Sequence, residues 1–391
     1  MADPVIRLKP GKERPVRLGH PWIFSGAVDG LDPHLEPGTV VAVRAADGSY
    51  CGRGYINPRC AIAVRMLTRE AEAIDTDFFI RRIRAAQDLR TALLADTTAY
   101  RLLNAEGDFL PGFVADRYGE IIVLQCLTAG ADRMRASLVE ALSRIVQPRG
   151  IYERSGGSVR REEGLPTREG VVAGEVSAEP ILIEESGLRF LVDVRSGQKT
   201  GFFLDQRDNR ILVRAVSGAR VVLNAFGYTG AFAVYAGAGG ASRVVSVESS
   251  VPALRLARRN WTVNGLPEER AELVEADVFD YLRQTDQTFD VLVLDPPALV
   301  KRRHDVTRGA RAYKDLHRWA FRRAAPGAFV VTFSCSQHVP LELFRKIVQS
   351  GAHEAERTVQ VLTPLAASID HPQNVTHPEG DYLKGLLLRV M

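Results

Sequence analysis

The 391 residues are 46% hydrophobic and 25% charged, an ordinary globular composition, and a chain of this length is expected to fold as two or three domains. Four cysteines without a Cys-x-x-Cys pair exclude a disulfide scaffold and a multi-cysteine zinc site, so no metal is expected. No apolar run reaches the roughly 18 residues of a membrane span, and the opening MADPVIRLKPGKERP does not resemble a signal peptide; a cytoplasmic protein without membrane contact is expected. The net charge of +4 lies wholly in residues 1–69, with ten Lys/Arg against six Asp/Glu, and the remainder sums to zero. Localised positive charge attracts phosphate, although a merely solvated basic surface would read the same way.

Residues 1–70 carry short β-type runs, Gly38–Val43 and Ala61–Leu67, separated by turn signals at Ala46-Asp47-Gly48-Ser49 and Asn57-Pro58. They predict a small all-β barrel or sandwich. An amphipathic helix is predicted from Asp75 to about Ala95. Phe79, Ile83, Ala86 and Leu89 or Leu93 form its apolar face, with Arg81, Arg82, Arg84 and Arg90 between them. Residues 101–194 read as an α+β unit. Its predicted strands cover 110–115, 121–127, 150–153, 180–185 and 188–194, with a helix over 132–146 and a polar loop over 154–170.

From about Phe203 the pattern changes to regular alternation. Strands are predicted over 221–225, 243–247, 271–275, 291–294, 329–333 and 386–390, and helices over 205–216, 230–238, 251–264, 278–284, 313–325 and 340–351. Such alternation predicts a parallel sheet with helices on both faces. Domains are expected over 1–70, 71–180 and 181–391.

Ligands of such sheets lie beyond the carboxyl ends of the strands. The first strand runs into Asn224-Ala225-Phe226-Gly227-Tyr228-Thr229-Gly230, where Gly227 and Gly230 allow a tight turn and a close ligand. The second strand ends at Glu248, a carboxylate suited to ribose hydroxyls. The third leads to Asp277, which suits either an adenine amine or the N-cap of the next helix. NAD and S-adenosylmethionine both fit this outline. Ala225 in place of the first glycine of a dinucleotide fingerprint, with no pyrophosphate clamp, favours the methyl donor.

The fourth strand delivers Asp295-Pro296-Pro297-Ala298. A carboxylate leaving an apolar strand into two prolines marks a functional site more readily than a plain turn. Ala298, where exocyclic-nitrogen methyltransferases place an aromatic residue, speaks against that chemistry. The fifth strand places Cys335 at the same edge, among Ser334, Ser336, Gln337 and His338. Cys51, Cys60 and Cys126 read as buried filler, whereas Cys335 has the surroundings of a nucleophile. Cysteine and acid together account for methylation of pyrimidine C5: a thiolate adds to C6, an acid near N3 assists, and C5 becomes nucleophilic.

Four stretches carry a family resemblance: Gly197–Arg210 (GQKTGFFLDQRDNR), Ala310–Leu316 (ARAYKDL), Ser334-Cys335-Ser336, and the tail Asp370-His371-Pro372 with Pro378–Gly385 (PEGDYLKG). With these the chain resembles the bacterial 23S ribosomal RNA cytosine-5 methyltransferases over nearly its whole length. The resemblance implies an N-terminal PUA domain, a central α+β domain and a Rossmann-like class I methyltransferase domain. It implies Cys335 as nucleophile, Asp295 beside the base, and Gln206, Gly227, Glu248 and Asp277 around S-adenosylmethionine. Asn224, Phe226, Thr229, Gly230 and Asp295 complete the expected cofactor site. Pro296, Pro297, Lys199 and Tyr313 are the expected substrate contacts, although Lys199 and Arg207 equally suit a packed domain junction. His371 and His377 either approach RNA or cover the sheet edge. Ala298-Leu299 departs from the larger residues usual after Asp-Pro-Pro in the family.

Ribosomal RNA, from 23S or a large-subunit precursor, is the expected partner, and a homodimer is also considered. Three alternatives remain at this level: methylation of another RNA base or atom, an RNA-binding relative without turnover, and an NAD-dependent oxidoreductase.

Overall fold

A computed structural model describes residues 3–391. The chain divides into two units. The first comprises residues 1–183, 192–204 and 369–380, and the second residues 184–191, 205–368 and 381–391.

The first unit opens with a six-stranded sheet in the order Trp22–Phe24, Ile62–Thr68, Tyr50–Ile56, Val40–Arg44, Val5–Leu8, Val28–Asp29. Alternate side chains such as Val41 and Val43 fill its core, as the period of two requires. A five-stranded sheet follows, in the order Arg168–Gly174, Gly150–Ser155, Ile121–Cys126, Phe113–Tyr118, Ala99–Asn104. It packs with the helices Thr76–Leu93 and Ala129–Ile145 around Phe79, Phe113 and Leu138. The two sheets are joined by buried polar contacts. Tyr55 donates to the Pro111 carbonyl at 2.8 Å, and Glu163 receives Asn57, Arg65 and the Ala129 amide.

The helix Thr76–Leu93 corrects the expected apolar face. Leu89 and Leu93 are exposed, and Arg90 is buried in the register they were to occupy. Arg90 is tolerated there because its donors are satisfied: its guanidinium forks onto Asp108 at 2.5 and 2.7 Å and reaches the carbonyls of Arg101 and Asp370. Asp370 in turn accepts the Arg101 amide, and Asn104 donates to the Pro372 carbonyl. At Gly107 a Cβ would lie 1.9 Å from that carbonyl, so only glycine fits under residues 369–380. His371 and His377 are buried in this segment, which corrects the idea that they approach RNA.

Within the predicted loop 154–170 lies a short helix, Ser158–Glu162, pinned by the buried Arg160. Cys51 and Cys126 are buried as expected, but Cys60 is half-exposed.

The second unit is built on seven strands: β1 (Val221–Ala225), β2 (Arg243–Glu248), β3 (Ala271–Glu275), β4 (Phe289–Leu294), β5 (Ala324–Ser334), β6 (Val359–Leu365) and β7 (Lys384–Val390). Its helices are α1 (Arg207–Val216), α2 (Ala231–Ala238), α3 (Val251–Val263), α4 (Val278–Gln284), α5 (Val306–Arg323) and α6 (Leu341–Glu354). The order is β3-β2-β1-β4-β5-β7-β6. The first five strands are parallel, whereas β7 runs antiparallel to both β5 and β6, so the sheet is mixed rather than wholly parallel. β1 lies between β2 and β4, which makes its carboxyl end the switch point where ligands settle in such sheets. Ala225 pairs with Leu294 and Leu294 with Thr332, so the ends of β1, β4 and β5 share one edge.

Replacing Arg90 with methionine strands Asp108 in the core. Breaking a buried pair from one side is expected to cost about 3–5 kcal/mol, read as a lowered urea midpoint; a midpoint within experimental error of wild type would contradict this account of the helix.

Candidate active site

Beyond β1, Phe226 and Tyr228 adopt φ of +58° and +44°, and Gly230, at +78°, caps α2. Left-handed non-glycine residues cost of order 1 kcal/mol each and persist where surroundings hold them. Here the Gly227 amide donates to the Val247 carbonyl at 3.0 Å and the Tyr228 amide to Glu248 Oε2 at 2.9 Å. A Cβ on Gly230 would stand 2.9 Å from that of Ala257. Asn224 is buried and donates to Ser246 Oγ at 3.3 Å.

Glu248 also accepts the Ser250 amide at 2.8 Å and the Ser249 hydroxyl at 3.3 Å. Two of its donors are fixed backbone groups and the third rotates, so ribose hydroxyls compete only with Ser249. Asp277 caps α4 through Oδ1, accepting the amides of Phe279 and Asp280, and its Oδ2 has no protein hydrogen bond among the described residues. Phe226 and Phe279 meet edge to face at 6.1 Å. Thr229 Oγ1 is buried with no protein partner among the described residues. A buried hydroxyl left so is costly unless a ligand satisfies it. This donor and acceptor set fits S-adenosylmethionine: a diol acceptor, an amine acceptor, apolar walls and a glycine turn.

Gln206 is buried and held at both ends of its amide. Oε1 accepts Asn209 at 2.6 Å, and Nε2 donates to Asp295 Oδ2 at 3.0 Å. Gln206 therefore orients Asp295. One turn further along the chain, in α1, Arg210 forks onto the fully buried Glu185, which also accepts Tyr235. Arg207 lies 3.4 Å from the same carboxylate, a structural role within this unit.

Cys335 is half-buried, and its thiol lies 3.9 Å from the carbonyl oxygen of Pro296, the residue after Asp295. A polar frame surrounds the thiol. Tyr313 shares its hydroxyl with Ser334 and Ser336 at 3.0 Å each, and Ser336 Oγ also accepts the Val300 amide at 3.1 Å. Lys384 pairs with Ser334 across β5 and β7, and its buried ammonium donates to the carbonyls of Ser336 and Tyr382. Burial pushes that ammonium down from its ordinary range, while Asp381 and the adjacent Cys335 pull it back up. A cation so placed favours the thiolate form of its neighbour.

Tyr313, expected to touch substrate, is instead fully buried, because α5 packs its ring inside the sheet; it positions the serines on either side of the thiol. Pro296 is also buried and contributes its carbonyl, while Pro297 is exposed. Lys199 belongs to the first unit, exposed, with Nζ 4.3 Å over the Phe203 ring. Lys384 and Ser336 were missed as functional positions, although both fall in motifs quoted above. Their signal was the oddity of a lysine leading directly into the apolar run Gly385–Leu388 and of polar neighbours on both sides of one cysteine.

Residues 6–69 match the family model of a PUA-like domain, and residues 168–340 that of an S-adenosylmethionine-dependent methyltransferase. The chain is 44% identical to the ribosomal RNA large subunit methyltransferase I of Shewanella amazonensis, covering 98% of this chain and 99% of that protein. It is 42% identical to the protein of the same name from Aeromonas salmonicida, covering 98% of each. Among solved structures it is similar to a methyltransferase-type protein of Streptococcus mutans (TM-score 0.84, 24% identity, 99% of this chain and 100% of that one). It is also similar to another solved in complex with S-adenosylhomocysteine (TM-score 0.85, 24% identity, 100% of both chains).

His317 lies beneath this frame, donating through Nδ1 to the Tyr313 carbonyl at 2.7 Å and pairing through Nε2 with Thr332 Oγ1 at 2.9 Å. Burial pushes it down from 6.5 to about 4. The unfolded chain gains this proton near pH 6.5 and the folded one only near 4, so stability complete above 6.5 drains away as pH falls through that window. About 3 kcal/mol is at stake. Urea unfolding of wild type is expected to weaken over this range more steeply than that of His317→Gln; equal slopes would contradict the assignment.

Proposed function

From the premise that this chain belongs to the S-adenosylmethionine-dependent ribosomal RNA large subunit methyltransferase I family, we propose that it methylates C5 of a cytosine in 23S ribosomal RNA through a covalent adduct with Cys335. The observation that carries the reading is the 3.9 Å separation between the Cys335 thiol and the Pro296 carbonyl. This contact brings the thiol to the Asp-Pro-Pro turn at the sheet edge where the glycine loop also begins, which supports a nucleophilic role for it.

Cytosine C5 carries too little electron density to take a methyl group unaided. In the proposed sequence the Cys335 thiolate forms a bond to C6, and the π pair of the C5–C6 bond moves onto C5. Asp295, its carboxyl rotation held by Gln206, shares a proton with N3 and draws charge away from the ring. S-adenosylmethionine supplies an electrophilic methyl on a sulfonium. The C5 pair takes that methyl as the sulfonium bond breaks and neutral S-adenosylhomocysteine leaves. The C5 proton then passes to a water base, its C–H pair restores the C5–C6 double bond, and the C6–S pair returns to Cys335 as thiolate. Lys384, its ammonium held at the carbonyl of Ser336 one residue from Cys335, adds positive charge to this region at the beginning and end of the cycle, when the charge on sulfur is greatest.

The target must leave its stack before a thiol can reach C6. A single-stranded or opened segment is the corresponding substrate. The PUA-like domain, with the basic excess of the first 69 residues, would supply sequence-independent attraction to the RNA backbone.

With labelled donor and unmodified 23S ribosomal RNA, the label is expected in 5-methylcytidine on nucleoside analysis. Cys335→Ala is expected to abolish transfer while still binding S-adenosylhomocysteine, and Asp295→Asn to slow turnover about 10²–10⁴-fold. Label confined to another nucleoside, or full activity of Cys335→Ala, would overturn the reading.

A further inference from the structure

The charge balance of residues 70–391 conceals a local concentration. Between 301 and 323 stand nine Lys/Arg against two Asp/Glu. The structure divides this run in two. In the distal half of α5 the cations are committed inside the protein. Lys314 and Arg318 pair with Glu354, Arg318 also with Asp315, and Arg322 and Arg323 donate to main-chain carbonyls. In the proximal half, Lys301, Arg302, Arg303, Arg308 and Arg311 are exposed. Of these only Arg308 has an acidic partner among the described residues, Asp305 at 3.1 Å.

The proximal half is also tied to the site. Val300, directly before Lys301, donates its amide to Ser336 Oγ, one residue from Cys335. A Cβ on Gly309 would fall 2.3 Å from a Val300 methyl and 2.7 Å from the Leu299 carbonyl. Glycine there lets the first turns of α5 lie directly on the Asp-Pro-Pro loop. The positive end of this 18-residue helix adds to the same field.

We propose that Lys301, Arg302, Arg303, Arg308 and Arg311 form a phosphate-gripping strip that holds the RNA backbone beside the nucleotide presented to Cys335. The inference rests on the ribosomal RNA reading above and adds to it a specific contact surface on the catalytic unit. Five exposed cations against one carboxylate suit a polyanion. No exposed large hydrophobic residue lies in 301–311 to suit a lipid surface or an apolar protein partner. Arginine is well matched to phosphate oxygens by its fork of donors. Phosphate contacts carry no sequence information but set register, which a site closing over a single base requires.

The strip is tested by filter binding of a 23S ribosomal RNA fragment at several salt concentrations, comparing wild type with the triple variant Lys301→Gln/Arg302→Gln/Arg303→Gln. Each lost phosphate contact lowers the log–log salt slope by about 0.7 on single-stranded RNA, so a fall of about 2 is expected. Affinity is expected to drop about tenfold or more near 0.15 M salt, with KM for RNA raised and KM for S-adenosylmethionine unchanged. A control of equal charge loss elsewhere, Arg345→Gln/Lys346→Gln/Arg389→Gln, is expected to bind like wild type. An unchanged slope in the strip variant, or an equal fall in the control, overturns the strip while leaving the substrate reading intact. Wild-type protein that binds no ribosomal RNA overturns that reading and the strip with it.

Discussion

Ser336 Oγ is the joint between the two loops that matter. It accepts the Val300 amide from the Asp-Pro-Pro side and shares a hydrogen with Tyr313, whose oxygen also meets Ser334. The peptide bearing Cys335 is thus gripped on both flanks, and Lys384 fastens the carbonyl of Ser336 from below. All of these groups are buried, so any one left unpaired would cost more than its bond contributes. The thiol accordingly has a defined place without any bond made by the sulfur itself having to supply it.

A second buried chain performs the same task for the carboxylate. Glu185 anchors Arg210 and Tyr235. One residue back along α1, Asn209 holds the side-chain carbonyl of Gln206, and Gln206 holds Asp295. The polar segment from 205 to 210 is therefore a positioning device, which explains why a helix so rich in charge lies inward. The networks of the acid and the thiol touch through Tyr382, whose carbonyl accepts Lys384 and whose hydroxyl donates to Asp205.

Most of the second unit was legible because buried parallel strands are continuous apolar runs between helical periods: β1, β2 and α4 fall within a residue of where periodicity put them. β6 was not, since Pro364 and its exposed side chains disguise an edge strand. α5 begins at Val306 rather than Tyr313, because its first two turns are polar and contain Gly309, whose fit to Leu299 and Val300 is a tertiary matter. Arg90 shows the same limit from the other side: helical period places a residue on a face, but only Asp108 and the carbonyls around it make that face a home for a guanidinium. At the site, residue types at strand ends pointed to Asp295, Glu248 and Cys335. The inward turn of Tyr313 depends on packing that no local pattern encodes, and the lysine opening the last strand is odd in sequence but acquires its partner, the Ser336 carbonyl, only in the fold.

The central claim is that the sulfur of Cys335 becomes bonded to the base during turnover. Its most direct measurement uses a 23S ribosomal RNA fragment bearing 5-fluorocytidine, on which the fluorine cannot leave as a proton does and the adduct persists. With S-adenosylmethionine present, a denaturant-resistant protein–RNA complex is expected, and peptide mass spectrometry is expected to place the nucleotide on Cys335. Methylation of the unsubstituted fragment without any such complex, or a nucleotide attached to another residue, would contradict the account.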